Sequence, residues 1–350
     1  MKEKLKYGVI GTGNIAIGKH LPGYSMLEDV EIIAACDIDE TKLKNVGKKF
    51  DIKNLFTDYN KLLEMKEIDM VSVCLPNYLH APVTIKALKS GKHVHCEKPM
   101  AINEKEALEM LAAKNETGKK LMIGLNNRFT PESIFVKKYI DDGNLGDIYY
   151  AKCGWIRRRG LPASEWFQNK ELSGGGPLID LGVHYLDLVL YFLNYPDTTS
   201  VTSRAYKNFG GTQVSQLYAY PGSKPDWKYN VEDLIAGFIE LENEVSVAFE
   251  ISWASNIEKD ECFYEIYGTK ANIKYNNGDL KIFSVINGQF ADIQPLIEPD
   301  LYKGNEFKHF VNCIRNNQEP SISIVDQNVK MMKLVDAIYK SADEKRQFQF

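Results

Sequence analysis

The sequence predicts a two-domain α/β protein, and three observations support this prediction. The chain has 350 residues, which is more than one typical domain. In the first third, short apolar strands alternate with helices, a pattern typical of a parallel sheet with helical crossovers. After residue 126 the pattern changes to strands separated by hairpin signals. We therefore expect one domain over residues 1–126 and a second over residues 127–350.

Composition and charge limit the class of protein. Hydrophobic residues make up 44% of the chain, which is enough for a globular core, and the formal net charge is -4. No basic run is present, so neither nucleic acid nor an anionic membrane is expected as a partner. The six cysteines lack CxxC spacing, and no apolar run reaches membrane-spanning length. Since we also expect no signal peptide, we predict a reducing, cytoplasmic location.

A glycine-rich turn follows the first predicted strand. The apolar segment 6–10 leads into Gly11-Thr12-Gly13-Asn14-Ile15-Ala16, which matches G-x-G-x-x-G/A between a strand and a helix. The first glycine permits the tight turn, the second lets a pyrophosphate approach the backbone, and the alanine permits close helix–strand packing. Backbone N–H groups at the helix start would face the phosphates. We therefore predict that the turn residues 11–15 contact a dinucleotide.

An acidic residue follows the second predicted strand. Segment 30–36 is nearly all apolar, as expected for a parallel strand covered on both faces, and it is followed by Asp37. Asp37 lies about 20 residues beyond the glycine turn, where an acid binds the adenosine ribose hydroxyls. Ile38 follows with no arginine beside it to bind a 2′-phosphate, and Lys42 is the nearest cation. The pattern favours NAD as the cofactor and leaves NADP open; a plain loop or helix-cap role for Asp37 is the alternative.

Polar residues follow the later strands of the same sheet. Ligands bind beyond the carboxyl ends of parallel strands, so residues there are candidate cofactor contacts. These candidates are Pro76, Asn77, His80, Glu97, Lys98, Asn126 and Arg128. Turn chemistry explains several of them, but a turn does not require a lysine, so we expect Lys98 to point into the cofactor cleft. His93 and His95 alternate with apolar residues and are interpreted as structural, and we predict no metal site.

One predicted helix of the second half is apolar almost all round and still carries titratable residues. It begins at Pro177, after three glycines, and continues through Phe192. Such a helix should be buried. Asp180, His184 and Asp187 have i, i+4 and i+7 spacing, which places them on one face of an α-helix. A carboxylate one turn from an imidazole can orient it and raise its basicity. A core histidine bonded to its own helix is the alternative to a catalytic pair.

The remainder of the second half is predicted to be rich in sheet. Strands are expected over 148–156, 234–241, 245–253, 262–267, 271–275 and 278–283, with turn residues between them. The predicted helix from Pro177 can cover one sheet face, and the other is a candidate interface of a homodimer or homotetramer. An amphipathic helix at about 324–342 is expected to fold back on the first domain.

Aromatic and charged residues in this half are candidate contacts for a substrate. They are Trp155, Arg157, Arg158, Trp166, Tyr185 and Asp187. Aromatic rings combined with polar groups suit polyhydroxylated ring compounds. For the three consecutive arginines a solvated charge run is the alternative, because all three cannot face one pocket if the segment is extended.

Taken together, these motifs resemble the glucose–fructose oxidoreductase, inositol dehydrogenase and rhizopine-catabolism family, written Gfo/Idh/MocA. The resemblance extends over essentially the whole chain. The glycine turn and Asp37 resemble its cofactor turn and ribose acid, and Glu97-Lys98-Pro99 resembles its most specific signature. Segments 76–80, 126–129 and Asp180-x-Gly182-x-His184 resemble its third-strand motif, domain junction and acid–histidine helix. The resemblance implies an N-terminal Rossmann domain and a C-terminal α/β domain with a large, mostly antiparallel sheet through which dimers or tetramers form.

The resemblance also implies an activity. It implies an NAD(P)-dependent oxidoreductase that transfers a hydride between nicotinamide and a hydroxyl-bearing carbon of a sugar, cyclic polyol or sugar derivative. Lys98 matches the catalytic lysine of the family, and Asp180 and His184 match its catalytic acid–histidine pair. One alternative is an NAD-dependent glycosidase that oxidises its sugar transiently. A second is a non-enzymatic dinucleotide sensor, which would have little reason to keep these three residues.

Overall fold

The computed structural model describes residues 3–162, 164–220, 229–298 and 305–350, and the chain divides into two compact units. The first unit comprises the described residues of Met1–Asn126 and Tyr302–Val329. The second comprises those of Asn127–Leu301 and Lys330–Phe350. The chain therefore crosses from the first unit to the second, returns, and ends in the second.

The first unit is built on a six-stranded parallel sheet with the strand order β3-β2-β1-β4-β5-β6. Its strands are β1 (Leu5–Ile10), β2 (Val30–Cys36), β3 (Asn54–Phe56), β4 (Met70–Val73), β5 (His93–Cys96) and β6 (Leu121–Ile123). Its helices are α1 (Leu21–Ser25), α2 (Glu40–Phe50), α3 (Tyr59–Glu64), α4 (His80–Lys89), α5 (Glu104–Thr117) and, from the returning segment, α10 (Asn305–Arg315). The strand order reverses between β1 and β4, and ligands of such sheets bind at this switch point.

Local sequence explains the elements of this unit. Its central strands are apolar on both faces, and Val9, Val71 and Val94 are fully buried, as a sheet covered by helices on both sides requires. Helix α5 begins after Asn103, whose side chain accepts a hydrogen bond from the Glu106 N–H at 2.9 Å. It ends at Gly118, which adopts the left-handed conformation that glycine tolerates best.

The second unit contains a nine-stranded sheet in the order β14-β13-β12-β11-β7-β10-β9-β8-β15. The strands are β7 (Ile148–Ile156), β8 (Thr198–Tyr206), β9 (Leu234–Leu241), β10 (Ser246–Ser252), β11 (Glu261–Gly268), β12 (Ala271–Asn276), β13 (Asp279–Ile286), β14 (Gln289–Ile293) and β15 (Phe348–Gln349). Strands β7 and β10 pair in parallel at the centre, and every other pair is antiparallel.

The second unit also contains helices, two of which pack on one face of this sheet. The helices are α6 (Pro131–Asp141), α7 (Lys170–Ser173), α8 (Val183–Phe192), α9 (Ser215–Tyr218) and α11 (Val325–Glu344). Helix α8 packs on β7 and β11, and its Phe192 ring lies edge-on to the buried Tyr264 ring at a centroid distance of 5.3 Å. From Lys330 onward α11 belongs to the second unit, where the Ser203 hydroxyl donates to the Ile338 carbonyl at 2.6 Å.

The predicted fold class is confirmed, with a parallel Rossmann sheet and a large, mostly antiparallel second sheet. The prediction of one continuous α-helix from Pro177 to Phe192 is wrong, because Leu178–Gly182 form a π-helical turn ahead of α8. A second π-helical turn, Ala16–His20, precedes α1. Among the described residues, no helix has the length and apolar character needed to cross a membrane.

Candidate functional site

The glycine turn of the first unit has the geometry that its sequence predicts. Gly11 has a φ of +91°, and a Cβ there would lie 2.2 Å from the Cys74 carbonyl oxygen, so only glycine fits. A Cβ built on Gly13 would meet nothing within 4 Å, which leaves the backbone open on that side. Asn14 and Ile15 are exposed beyond it. The turn therefore leaves room for a pyrophosphate against its backbone.

Asp37 closes the turn from the end of β2. Its Oδ2 accepts hydrogen bonds from the Thr12 N–H at 2.7 Å and the Thr12 hydroxyl at 2.8 Å, and its Oδ1 accepts from the Asp39 N–H at 2.9 Å. The carboxylate remains half-buried, while Thr12 is fully buried. Ile38 beside it is 91% exposed and offers no cation. These residues fit a dinucleotide whose ribose hydroxyls bind Asp37.

Lys98 follows β5 and is half-buried, and the neighbouring Glu97 holds its backbone. The Lys98 N–H donates to Glu97 Oε2 at 3.2 Å. Glu97 Oε1 lies 2.7 Å from Nε2 of His20, and Nδ1 of His20 lies 2.8 Å from the Ser72 hydroxyl. His20 is fully buried at the end of the π-helical turn that follows the glycine turn. One bond thus connects the segment after the glycine turn to the loop that bears Lys98.

The network continues to the returning segment of the chain. Lys19 Nζ lies 2.9 Å from Glu306 Oε2 and 3.9 Å from Glu97 Oε1, and His95 Nε2 lies 3.3 Å from Glu306 Oε1. Burial opposes ionisation of both glutamates. For Glu97, the hydrogen bond from His20 and the charge of Lys19 outweigh the effect of burial, and its pKa lies well below its ordinary value. Lys19, followed by His95, outweighs it for Glu306 and lowers its pKa to about 2. Both glutamates are therefore ionised inside the unit.

Several predicted cofactor contacts are structural in this unit. His80 is only 1% exposed, and its two ring nitrogens lie 2.6 Å from the Pro99 carbonyl oxygen and 2.7 Å from that of Leu75. The ring links two loops, so the prediction that His80 contacts the cofactor is corrected to a role in the loop scaffold. Glu97, 6% exposed, likewise serves the Lys98 loop rather than a ligand. Pro76 and Asn126 are half-buried, and Asn77 is buried at the end of the loop after β4.

The three glycines of the second unit form the N-terminal support of the histidine helix. Glu232, buried and not noticed in the sequence, accepts hydrogen bonds from the Gly176 N–H at 3.0 Å, the Leu178 N–H at 3.2 Å and the Tyr339 hydroxyl at 2.8 Å. A Cβ on Gly175 would lie 1.9 Å from the Tyr339 hydroxyl, and one on Gly176 would lie 2.2 Å from the Glu232 carbonyl. The glycines are therefore required by close packing, and the carboxylate satisfies N–H groups at the helix start.

Asp180 and His184 follow this support. Both are half-buried. The indole N–H of the fully buried Trp253 donates to Asp180 Oδ2 at 2.9 Å. The His184 ring lies 5.7 Å from the Trp155 ring, and Tyr185 packs edge-on to the same indole at 5.7 Å between centroids. The helix thus presents a carboxylate and an imidazole beside an aromatic surface.

Asp187 does not lie beside the aromatic surface with Asp180 and His184, and its predicted role in substrate binding is corrected to a role in the core. It is 1% exposed, and its carboxylate binds Arg128 through Nε at 2.8 Å and Nη2 at 2.6 Å and accepts from the Tyr195 hydroxyl at 2.7 Å. Arg128 is fully buried, so its predicted cofactor contact is also corrected to a core ion pair. The expected single face over 180–187 is not kept, because Asp187, although it lies in α8 with His184, points to the buried Arg128 and Tyr195.

The consecutive arginines of segment 157–159 do not share one environment. The Arg157 guanidinium lies over Trp155, 4.7 Å from its ring centroid. Arg158 is exposed, and its Nη1 donates to the Glu258 carbonyl at 3.1 Å, so the predicted substrate contact of Arg158 is not supported. Trp166 stacks on Phe167 with centroids 3.7 Å apart, and Phe167 meets Trp253 edge-on. Trp166 is therefore linked through Phe167 to Trp253, whose indole N–H donates to Asp180.

The structure adds three residues that sequence reasoning missed, namely His20, Glu232 and Trp253. These residues act through contacts with Glu97, Gly176, Leu178 and Asp180 that join positions at least 54 residues apart in the chain. His20 carried a local signal, since it is a histidine within the helix that follows a glycine turn. Glu232 and Trp253 lie in or beside strand patterns that alone indicate only a sheet.

Comparison with known families agrees with both units. The family model for the oxidoreductase family, NAD-binding Rossmann fold, matches residues 5–125. The model for the C-terminal alpha/beta domain of the same oxidoreductase family matches residues 137–350. Both models describe Gfo/Idh/MocA proteins, and together they account for most of the chain.

Individual relatives and solved structures show the same similarity. The chain is 32% identical to D-glucoside 3-dehydrogenase of Escherichia coli (strain K12), over 97% of this chain and 95% of that protein. It is 24% identical to scyllo-inositol 2-dehydrogenase (NAD(+)) of Bacillus subtilis (strain 168), over 95% and 92%.

Among solved structures, aldose-aldose oxidoreductase from Caulobacter crescentus has a TM-score of 0.84 at 25% identity, covering 99% of this chain and 100% of that one. Levoglucosan dehydrogenase in complex with NADH has a TM-score of 0.86 at 22% identity, covering 99% of each chain, and so shares the fold. The matched models and the glucoside dehydrogenase relative show that this chain belongs to the Gfo/Idh/MocA oxidoreductase family.

Proposed function

We propose that this chain transfers a hydride between nicotinamide and a hydroxyl-bearing carbon of a sugar or cyclic polyol. The observation that carries the proposal is the half-buried His184, which lies beside Trp155 in a chain whose first unit is an NAD-binding Rossmann fold. An imidazole can exchange a hydroxyl proton near neutral pH, and an aromatic face can pack on a sugar ring. The relative named D-glucoside 3-dehydrogenase supports a sugar hydroxyl as the reacting group.

Three side chains divide the chemistry in this proposal. When bound, the nicotinamide accepts or supplies the hydride. In the oxidation direction His184 takes the hydroxyl proton as general base. Asp180, fixed by the Trp253 N–H, orients His184 or balances the charge it gains. Lys98 donates a hydrogen bond to the reacting oxygen and stabilises the negative charge that develops there.

The proposed cofactor is NAD in preference to NADP. Asp37 is half-buried beside the glycine turn, and the neighbouring Ile38 supplies no positive charge. A 2′-phosphate would lie close to this carboxylate, and two like charges at short range repel. The ribose hydroxyls of NAD can instead donate to it.

The proposal is tested by Lys98→Ala and His184→Ala. We expect kcat with NAD and a panel of glycosides and cyclic polyols to fall by about 10²- to 10⁴-fold, because each variant removes a proton-transfer or charge-stabilising group. NAD binding, measured by calorimetry, should change little. Lys89→Ala is the matched control, since Lys89 forms an exposed pair with Glu116. Undiminished turnover in either active-site variant would contradict the assignment, and turnover without accumulating NADH would indicate the glycosidase alternative.

We also propose that the chain forms a homodimer or homotetramer in the cytoplasm. All six cysteines are free, which supports a reducing compartment. Strand alternation and register place Tyr150, Phe238, Phe263 and Tyr267 on the sheet face opposite α8, together with paired charges such as Lys152 and Glu265. This mixture of aromatic and polar groups suits an interface between copies.

Light scattering on the purified chain tests the assembly. We expect a mass of two or four times 39.8 kDa, and Phe238→Glu should reduce it because a charge would be buried at the interface. The side chain of Phe238 is 40% exposed in the single chain, so the variant should still fold. A wild-type monomer at micromolar concentration would contradict the proposal.

A further inference from the structure

Arg157 is held firmly at the end of the central strand β7. Its backbone N–H donates to the Ser252 carbonyl at 3.0 Å, which extends the pairing of β7 with β10 by one residue. Its side-chain stem packs against Gly160, where a Cβ would lie 2.5 Å from the Arg157 Cδ. The stem is therefore confined between its own strand and the following loop, and the guanidinium has little freedom to move.

Aromatic rings contact the guanidinium. Its Cζ lies 4.7 Å from the Trp155 ring centroid and 5.7 Å from that of Tyr220. Stacking of this kind satisfies the faces of the planar group and leaves its N–H donors at the edge. The residue is half-buried, so part of the hydration of those donors is already lost.

The donors of Arg157 have no acceptor in the part of the chain that the structure describes. Its side chain makes no hydrogen bond or ion pair there, and its interactions are the two ring contacts. Arg128 is paired with Asp187, and Arg158 donates to a backbone carbonyl. A half-buried guanidinium that is fixed in place and has no acceptor among the described residues is suited to an acceptor from a ligand.

The position of Arg157 relates it to the histidine helix. Trp155 contacts both the Arg157 guanidinium and the His184 ring, which places the cation on the same aromatic surface as the proposed base. Tyr220 lies near enough to both Arg157 and Asp180 for their charges to act on it. Burial raises the pKa of Tyr220, while Arg157 lowers it and Asp180 raises it. Arg157 thus shares the aromatic surface of the proposed base.

We propose that Arg157 binds an oxyanion substituent of the sugar substrate, either a carboxylate or a phosphate ester, at a ring position other than the carbon that is oxidised. This inference rests on the proposed function. A planar fork of N–H donors matches two oxygens of such a group better than it matches separate hydroxyls. Because the substituent does not react, its binding energy holds the ring in place and sets the choice of substrate.

Matched pairs of sugars test this inference. Methyl glucuronide carries a carboxylate where methyl glucoside carries a hydroxymethyl group, so this pair tests the carboxylate alternative. Glucose and glucose 6-phosphate form the second pair and test the phosphate alternative. Hydrogen bonds to charged groups contribute about 1.5–3 kcal/mol, so wild-type kcat/KM should be about 10- to 100-fold higher for one of the charged sugars than for its neutral partner. The charged sugar that shows the preference identifies the oxyanion.

Arg157→Gln should remove that preference by lowering kcat/KM for the charged sugar about 10- to 100-fold and for the neutral partner by less than about 3-fold. Arg157→Lys, which keeps the charge without the planar fork, should give an intermediate loss. Arg159→Gln is the matched control. Arg159 is exposed and lies two residues after Arg157, so this substitution removes the same charge from a nearby position. Circular dichroism shows whether each variant is folded.

Binding of the charged sugar without cofactor, followed by tryptophan fluorescence, separates this inference from the proposed function. Retained binding that depends on Arg157, with no turnover of any sugar, would refute only the dehydrogenase proposal. A wild-type preference for the neutral sugars, or an equal loss for both members of a pair in Arg157→Gln, would overturn the oxyanion assignment. Unchanged kinetics in Arg157→Gln would overturn it as well.

Discussion

The ionisable groups around Glu97 in the first unit are largely buried and bind one another, whereas those beside His184 in the second unit are half-exposed among aromatic rings. Lys19, His20, Glu97 and Glu306 form contacts of 2.7 to 3.9 Å inside the unit. In the second unit Arg157 has two ring contacts and, among the residues that the structure describes, no carboxylate partner.

This difference indicates that the two groups of residues have different roles. Removing one partner of a buried ion pair leaves an unsatisfied charge, so the network around Glu97 can change little without a large loss of stability. A half-exposed aromatic surface tolerates substitution better, because the groups on it remain partly hydrated. We therefore interpret the first network as the fixed support of Lys98 and the second surface as the part that sets the choice of substrate.

The largest expected effect that would test this comparison is the acid sensitivity of the first unit. Burial lowers the pKa of His95 from 6.5 to about 4, and Lys19 outweighs burial to lower that of Glu306 from 4.5 to about 2. Groups with lowered folded-state pKa values stabilise the protein above their ordinary pKa, and this stability is lost as the pH falls through the folded value. The free energy of unfolding should therefore decrease as the pH falls from 6.5 to about 2. The lowered pKa of Glu306 alone corresponds to a decrease of about 3 kcal/mol.

Urea unfolding at several pH values measures this decrease. Glu306→Gln should flatten the pH dependence below pH 4.5, because the variant has no carboxylate to protonate at that position. Glu116→Gln is the control, since Glu116 forms an exposed pair with Lys89. A pH profile that is the same in Glu306→Gln and the wild type would show that the network is not the acid-sensitive part.

A smaller effect is expected at the second unit, from Trp253→Phe. This change keeps an aromatic ring but removes the N–H that donates to Asp180. A hydrogen bond to a charged group contributes about 1.5–3 kcal/mol, and part of it is recovered from water at this half-buried carboxylate, so we expect kcat to fall about 10-fold. The pH profile of kcat should shift as well, because Asp180 acts on His184 in our proposal.

Double substitution provides the control for this prediction. In an Asp180→Asn background, Trp253→Phe should cause little further loss, because the two residues act through one bond. Additive losses would instead indicate that Trp253 acts through packing, and a kcat equal to that of the wild type would contradict the positioning role.

The sequence predicted the parts of the molecule that depend on local pattern. The bounds of β7 and β9 follow from residue alternation, and the glycine turn follows from its motif. Helix α10 was not predicted, and the C-terminal helix, which was expected to fold back on the first domain, belongs to the second unit from Lys330 onward, because an amphipathic pattern does not specify the unit on which a helix packs. Asp187 was assigned to a substrate from its helical spacing to His184, whereas its carboxylate binds the buried Arg128, a tertiary contact that spacing does not specify.

The candidate site was predictable to the extent that its chemistry resides in single motifs. Lys98, Asp180 and His184 could be named from their neighbours in sequence, and they remain the proposed catalytic residues. Their supports could not, since the His20–Glu97 and Glu232–Gly176 contacts join positions 77 and 56 residues apart. Such contacts depend on tertiary packing, which residue spacing does not encode.

The π-helical turn at Ala16–His20 allows the direction of the glycine turn and the direction of the His20 side chain to be set independently. Strand β1 fixes the direction in which the glycine turn faces, while Glu97 fixes the direction in which His20 must point. A regular α-helix would relate these directions by a constant rotation per residue. Since a turn with i→i+5 bonds accommodates an additional residue, each end can keep its own rotational phase. Loss of a single residue here would therefore turn the imidazole away from the carboxylate without altering either strand.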